Sequence, residues 1–136
     1  MVGILVVTHY NLGNELVAAA EMIGGKIENI QAISVDPKID TEILMKEISV
    51  AIKELDNGDG VLIMTDMFGG TPSNLTLSFL EEGKVEVLTG VNLPMLIKLS
   101  TYQNDKTLNE LAMNIKSFGR KNINVANEIM NKKIDK

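Results

Sequence analysis

Short runs of apolar, largely β-branched residues alternate along this chain with segments that are typical of helices. An unbroken apolar run indicates a strand that is covered on both faces, because polar alternation disappears when neither face meets water. Strands that alternate with helices predict an α/β fold with a mostly parallel sheet. The predicted strands cover residues 2–8, 30–35, 61–65 and 85–89.

Helices are predicted between and after these strands. They cover the segments Leu16 to Ile23, Leu44 to Leu55, Thr71 to Leu80 and Leu108 to Gly119. The last of them is preceded by Thr107 and contains Glu110, which together form a capping box. Beyond it, Ile123 and Val125 alternate with asparagines, and this alternation predicts a short edge strand near the C-terminus.

The order of the strands decides where a ligand would bind. Right-handed crossovers place helices on both faces of the sheet, so we predict a single doubly wound domain with the strand order 2-1-3-4. Ligands of such sheets bind at the carboxyl ends of the strands. Because the first and third strands are neighbours in this order, the loop at His9 should lie beside the loop that begins at Asp66.

Length, composition and charge exclude several classes of protein. The 136 residues suffice for one ordinary domain. The hydrophobic share of 45% and the charged share of 23% argue against disorder. The chain has no cysteine, so a disulfide, a thiolate metal site and a cysteine nucleophile are impossible. A net charge of −5 argues against nucleic acid as a partner.

The sequence also gives no sign of a membrane span, a metal or a nucleotide. No apolar stretch approaches the ~20 residues of a spanning helix, and the apolar opening of the chain is too short for a secretory signal. The phosphate loops G-x-x-x-x-G-K-[ST] and G-x-G-x-x-G are absent, as is a dense set of metal ligands. We therefore expect a cytoplasmic protein without membrane insertion, metal or cofactor.

His9 is the only histidine, and it directly follows the first predicted strand. This places it at the expected ligand-binding edge, where an imidazole is suited to nucleophilic or acid–base chemistry. The alternative is a partly buried loop histidine with a structural role.

The segment from Asp66 to Asn74 has the features of an anion site. Gly69 and Gly70 leave the backbone bare, Thr71 is a suitable N-cap, and Pro72 suits the first helical position. Exposed amides at a helix start favour phosphate, although the same residues also form ordinary turns. A carboxylate at Asp66 could accept a hydrogen bond from one nitrogen of His9 and leave the other as a nucleophile.

Three segments of this chain resemble the IIA component of the mannose-class (mannose/fructose/sorbose) sugar phosphotransferase system. They are the Thr-His pair at His9, the D-x-x-G-G-[ST]-P-x-N block at residues 66–74, and the G-V-N-[LI]-P-M-L block at residues 90–96. The two longer blocks occur in the right order and are together specific. The resemblance covers the phosphotransfer domain, residues 1–130, and leaves a polar basic tail at 131–136.

The resemblance implies a histidine phosphoryl relay. His9 would accept a phosphoryl group from the histidine phosphocarrier protein and pass it to a separate IIB component. Asp66 would be its hydrogen-bonded partner, and Gly69, Gly70 and Thr71 would contact the phosphate. The resemblance also implies a homodimer that exchanges a short antiparallel strand near the C-terminus, for which Ile123 and Val125 are the candidates.

Two alternatives remain open at this point. The IIA-like phosphotransfer subunit of dihydroxyacetone kinase has a similar first strand and histidine, and a phospho-ligand sensor would bind an anion at the Gly70–Thr71 helix end without catalysis. In a relay, partner proteins must reach His9. The candidates for the rim of a docking surface are Met67, Phe68, Leu93 and Met95, and buried packing is an equal alternative for each of them.

Overall fold

The computed structural model describes residues 1–134 and contains the predicted α/β architecture. Four strands form one parallel sheet in the order β2-β1-β3-β4, which confirms the predicted order 2-1-3-4. The elements, in chain order, are β1 (Gly3–His9), α1 (Leu12–Gly24), β2 (Ile30–Val35), α2 (Thr41–Leu55), β3 (Val61–Thr65), α3 (Thr71–Leu77), β4 (Val85–Thr89), α4 (Leu93–Tyr102), α5 (Leu108–Lys121) and α6 (Ala126–Ile134).

Helices cover both faces of the sheet, as predicted. Alternate side chains of β1 point to opposite faces. Ile4 and Val6 pack with residues of α1, α4 and α5, whereas Leu5 and Val7 pack with residues of α2 and α3. All four side chains are fully buried. This double burial explains why the strand is an unbroken apolar run.

The helix α4 was not predicted, although its start carries clear signals. The Asn92 side chain caps it by accepting a hydrogen bond from the backbone N–H of Met95 at 3.1 Å, and Pro94 lies in its first turn. Its residues Leu96 and Leu99 are fully buried. The helix α5 begins as predicted, with the capping box of Thr107 and Glu110 formed in both directions.

The helix α3 ends earlier than the predicted Leu80. Its last helical residue is Leu77. The backbone N–H of Phe79 then bonds to the carbonyl of Thr76 at 3.0 Å, and that of Leu80 bonds to Leu77 at 3.2 Å. These bonds span three residues rather than four, so the chain tightens into a turn instead of continuing the helix.

The predicted C-terminal edge strand is wrong for this structure. Ile123 and Val125 lie in the connection between α5 and α6, where their side chains are 74% and 62% exposed. Asn122 donates from its side chain to the carbonyl of Phe118 at 2.8 Å and so folds the chain back at the end of α5. Of the predicted tail, residues 131–134 belong to α6, and residues 135–136 lie outside the described part. No helix within residues 1–134 has the length and apolarity needed to cross a bilayer.

Candidate functional site

The structure brings His9 and Asp66 together at the carboxyl edge of the sheet. His9 is the last residue of β1, and Asp66 directly follows β3. These strands are hydrogen-bonded neighbours, with Val7 paired to Thr65. The two side chains therefore meet because two neighbouring parallel strands end at the same level.

One carboxylate oxygen of Asp66 binds His9 twice. Its Oδ2 accepts the backbone N–H of His9 at 3.0 Å and lies 2.7 Å from the ring Nδ1. The other oxygen, Oδ1, accepts the backbone N–H of Met67 at 3.0 Å. Both oxygens thus have partners, and the orientation of the carboxylate is fixed from two sides.

The surroundings of Asp66 favour its ionised form. Burial opposes ionisation, but the hydrogen bonds from the backbone and ring of His9 outweigh it, so the pKa of Asp66 lies below its ordinary value. A carboxylate only accepts hydrogen bonds, so the proton of the 2.7 Å contact is held by Nδ1 of His9. In the neutral ring this leaves the lone pair on Nε2. The His9 side chain is 46% exposed, whereas that of Asp66 is only 11% exposed.

Gly70 packs against the Cε1–Nε2 edge of the His9 ring. A Cβ atom at this position would lie 2.9 Å from Cε1 and 3.4 Å from Nε2 of His9. The φ angle of −82° suits any residue, so the site requires glycine for space and not for backbone freedom. The backbone that enters α3 consequently lies beside the unprotonated ring nitrogen.

The other predicted phosphate contacts lie on the same turn. Gly69 has a φ of +88°, which favours glycine, and Thr71 is exposed at the start of α3. The predicted N-cap role of Thr71 is wrong: the N-cap is Gly70, which has no side chain, so the first turn of α3 has no side-chain cap. Thr71 is instead the first helical residue.

The G-V-N-L-P-M-L block supports this edge from the side of β4. The backbone N–H of Val91 donates to the carbonyl of Thr65 at 2.9 Å and so fixes the chain just before Asp66. The Asn92 side chain donates to the carbonyl of Gly119 at 3.2 Å and ties the start of α4 to the last turn of α5. Through these two hydrogen bonds, the block holds the end of β3 and the start of α4 in place.

Two large apolar side chains are exposed on the loop that follows Asp66. Phe68 is 71% exposed and Met67 is 55% exposed, so both are available on the surface. Leu93 is only partly buried. Met95 is 4% exposed and packs in the core, so buried packing, and not a place on the rim, is its role.

The sequence reasoning did not identify two residues next to His9. Tyr10, on the loop that follows β1, is 63% exposed. Thr8, on the strand before it, is a fully buried polar residue whose hydroxyl bonds to that loop. A polar residue at the end of an apolar run is the signal that could have identified Thr8. Within residues 1–134, no three acidic or histidine side chains cluster as metal ligands.

Comparisons with known proteins agree with one another. The family model EIIA-man, described as PTS system fructose IIA component, matches residues 3–116. The chain is 27% identical to the PTS system fructose-specific EIIA component of Bacillus subtilis over 97% of its own length and 91% of that protein. It is 31% identical to the PTS system mannose-specific EIIAB component of Escherichia coli over 90% of its own length. It spans only 38% of that longer protein.

A solved structure supports the fold independently. The crystal structure of phosphotransferase system component EIIA from Streptococcus agalactiae superposes with a TM-score of 0.83 and 21% sequence identity. The superposition covers 94% of this chain and 99% of that one.

Proposed function

Because this chain belongs to the EIIA-man family of mannose-class IIA components of the sugar phosphotransferase system, we propose that it is a cytoplasmic histidine phosphoryl carrier. His9 accepts a phosphoryl group from the histidine phosphocarrier protein and passes it to a IIB component. The observation that carries this proposal is the contact of 2.7 Å between Nδ1 of His9 and the Asp66 carboxylate. This contact leaves Nε2 as the nucleophile.

The proposed transfer begins at the lone pair of Nε2. This nitrogen attacks the phosphorus of the donor's phosphohistidine, a new N–P bond forms, and the donor's N–P bond breaks with its electron pair returning to the donor ring. The Nδ1 proton stays in its hydrogen bond to Asp66, whose negative charge stabilises the positive charge that develops on the ring of His9. Transfer to the IIB component repeats the step with His9 as the donor.

The phosphoryl oxygens would be held by the turn before α3. The transferred group is metaphosphate-like, so alignment and hydrogen bonds to its oxygens are the main requirements. Gly70 lies against Cε1 and Nε2 of His9. The backbone amides at Gly70 and Thr71 are therefore near the nucleophilic nitrogen. We assign Gly69, Gly70 and the Thr71 hydroxyl to this role.

The test is incubation with phosphorylated carrier protein prepared with radiolabelled phosphate. A relay protein acquires a covalent label that is stable in alkali and lost in acid, whereas a phospho-ligand sensor binds reversibly and acquires none. The His9→Ala variant is the control, because the chain contains no second histidine and no cysteine. An acid-labile label on that variant would contradict the assignment of His9.

We also propose that the protein is a homodimer joined through its C-terminal segment. Every residue from Lys121 to Asn131 is exposed, including the apolar Ile123, Val125 and Met130. Several exposed apolar side chains within one short segment favour burial against a partner. Sedimentation equilibrium of the full chain and of a variant that ends at Lys121 tests this proposal. A full chain that stays monomeric at micromolar concentration would contradict it.

A further inference from the structure

We propose that Thr8 is a positioning residue for His9, whose buried hydroxyl holds the loop after β1 so that the imidazole faces Asp66. The role in phosphoryl transfer rests on the proposed function, whereas the effect on the ring does not. Thr8 itself touches neither the ring nor a partner protein.

The Thr8 hydroxyl makes hydrogen bonds to two residues that follow His9 in the chain. It accepts the backbone N–H of Gly13 at 2.7 Å and donates to the carbonyl of Tyr10 at 3.3 Å. Thr8 is fully buried, so no water can replace either partner without opening the loop. One side chain thus joins the residue that follows His9 to the first turn of α1.

Tyr10 needs such a restraint. Its φ angle is +48°, in the left-handed region that non-glycine residues rarely adopt. Its backbone N–H donates to the carbonyl of Val35 at 3.1 Å, and its carbonyl accepts from Thr8. Both polar groups of this strained peptide are therefore held, and the strained turn directly follows the residue that carries the chemistry.

The start of α1 is built around the same hydroxyl. The N-cap residue Asn11 makes no capping hydrogen bond, because its side chain accepts from Ser34 instead. Thr8 binds the free N–H of Gly13 in its place. Gly13 carries no side chain, and a Cβ there would lie 3.1 Å from Thr8 Oγ1 and 3.0 Å from Cγ1 of Val6. The Thr8 hydroxyl is therefore packed closely against the backbone of Gly13, and this packing fixes its orientation.

A second threonine provides a matched control. Thr65 ends the neighbouring strand β3 and is also fully buried. Its hydroxyl finds no hydrogen-bond partner among the described residues. Replacing either threonine by valine keeps the size and branching of the side chain, so only the Thr8 substitution removes hydrogen bonds.

Loss of the Thr8 hydrogen bonds should change the position of the imidazole, because it shifts the backbone of His9. The N–H and the ring of His9 share one oxygen of Asp66, so both contacts require the residue to keep one conformation. A relaxed turn at Tyr10 moves the backbone of His9, and the ring then spends less time with Nδ1 hydrogen-bonded. The fraction of the tautomer with the proton on Nδ1 falls.

Nitrogen-15 NMR measures this fraction in the neutral imidazole, in which one ring nitrogen carries the proton and the other does not. The assignment is unambiguous because His9 is the only histidine. We expect the tautomer with Nδ1 protonated to dominate in the wild type, Thr8→Ser and Thr65→Val, and to lose its dominance in Thr8→Val. Transfer from the phosphorylated carrier should slow about tenfold in Thr8→Val and remain close to wild type in the other two variants.

Several results would overturn the proposed role of Thr8. A Thr8→Val protein with a lower melting temperature but a wild-type tautomer and rate would give Thr8 a purely structural role. Equal losses in Thr8→Ser or Thr65→Val would remove the hydroxyl as the cause. If circular dichroism shows Thr8→Val to be unfolded, Gly13→Ala displaces the hydroxyl instead, and an unchanged tautomer in that variant contradicts the proposal. A wild type that accepts no phosphate refutes the relay alone, because the tautomer is measured without a partner.

Discussion

A single oxygen atom of Asp66, Oδ2, lies 3.0 Å from the backbone nitrogen and 2.7 Å from the ring Nδ1 of His9. The first contact fixes the end of β1 relative to the end of β3, and the second fixes the ring on that backbone. The carboxylate therefore sets the position and the tautomer of the imidazole together. Substitutions of Asp66 should affect the chemistry more than the fold.

Asp66→Asn should slow phosphoryl transfer to His9 about 10- to 100-fold without abolishing it. The amide keeps an acceptor oxygen but loses the charge that stabilises a positive imidazole ring. Asp66→Ala should be slower still, because it removes the acceptor as well. Single-turnover kinetics with phosphorylated carrier protein measure both rates. Wild-type rates in both variants would exclude Asp66 from the site.

The contribution of Asp66 to stability should depend on pH in the acid range. Its pKa in the folded protein lies below the ordinary 3.8, so its ionisation favours the folded state. The free energy of unfolding lost in Asp66→Asn should be at its full value above about pH 5 and shrink as the pH falls through the lowered pKa. Urea unfolding of wild type and variant across this range measures the difference. A loss that grows toward acid pH would contradict the assigned direction.

Gly70→Ala should impair transfer with little effect on the fold. The new Cβ would lie 2.9 Å from Cε1 of His9, so the ring must move away from its position beside Asp66. The backbone is not strained by alanine at a φ of −82°. We expect transfer to slow about tenfold or more, since small misplacements of a nucleophile are costly.

Gly24→Ala is the control for this substitution. Its Cβ would come 3.1 Å from Cγ2 of Ile97, a similarly tight contact at the far end of α1. A normal rate in Gly70→Ala, with the NMR tautomer of His9 unchanged, would show that the ring accommodates the methyl group.

Topology explains why the centre of the site was predictable. The strands β1 and β3 are unbroken apolar runs up to a terminal threonine, and the polar residue after that threonine marks the edge of the sheet. His9 and Asp66 are such residues on neighbouring strands, so their proximity follows from the strand order. The contact of Gly70 with the ring was not predictable, because it depends on shifts of less than an ångström in the turn before α3.

The C-terminal part was harder to predict for two physical reasons. The first half of α4, from Leu93 to Ile97, is apolar at every position, so it lacks the amphipathic stripe that marks a helix in a sequence. The predicted edge strand rested on the alternation of two apolar residues, Ile123 and Val125. So short a pattern carries no information about a pairing partner, and the chain instead turns there and continues as α6.

Phe68→Ala should weaken docking of partner proteins while leaving the fold intact. Phe68 is 71% exposed on the loop that follows Asp66, so its ring contributes little to the core, and the melting temperature should stay near that of the wild type. Exposed aromatic side chains often contribute most of the binding energy of an interface. We expect the second-order rate of transfer from the carrier protein, and of transfer to the IIB component, to fall roughly tenfold.

The rate of Phe68→Ala at saturating partner concentration should approach that of the wild type, because the chemistry at His9 is unchanged. Met22→Ala is the matched control: Met22 is 83% exposed near the far end of α1, so its truncation should leave both transfers unaffected. Stopped-flow transfer at a series of partner concentrations separates docking from chemistry. Normal transfer in Phe68→Ala with a clearly lower melting temperature would assign the ring to packing and place the docking surface elsewhere.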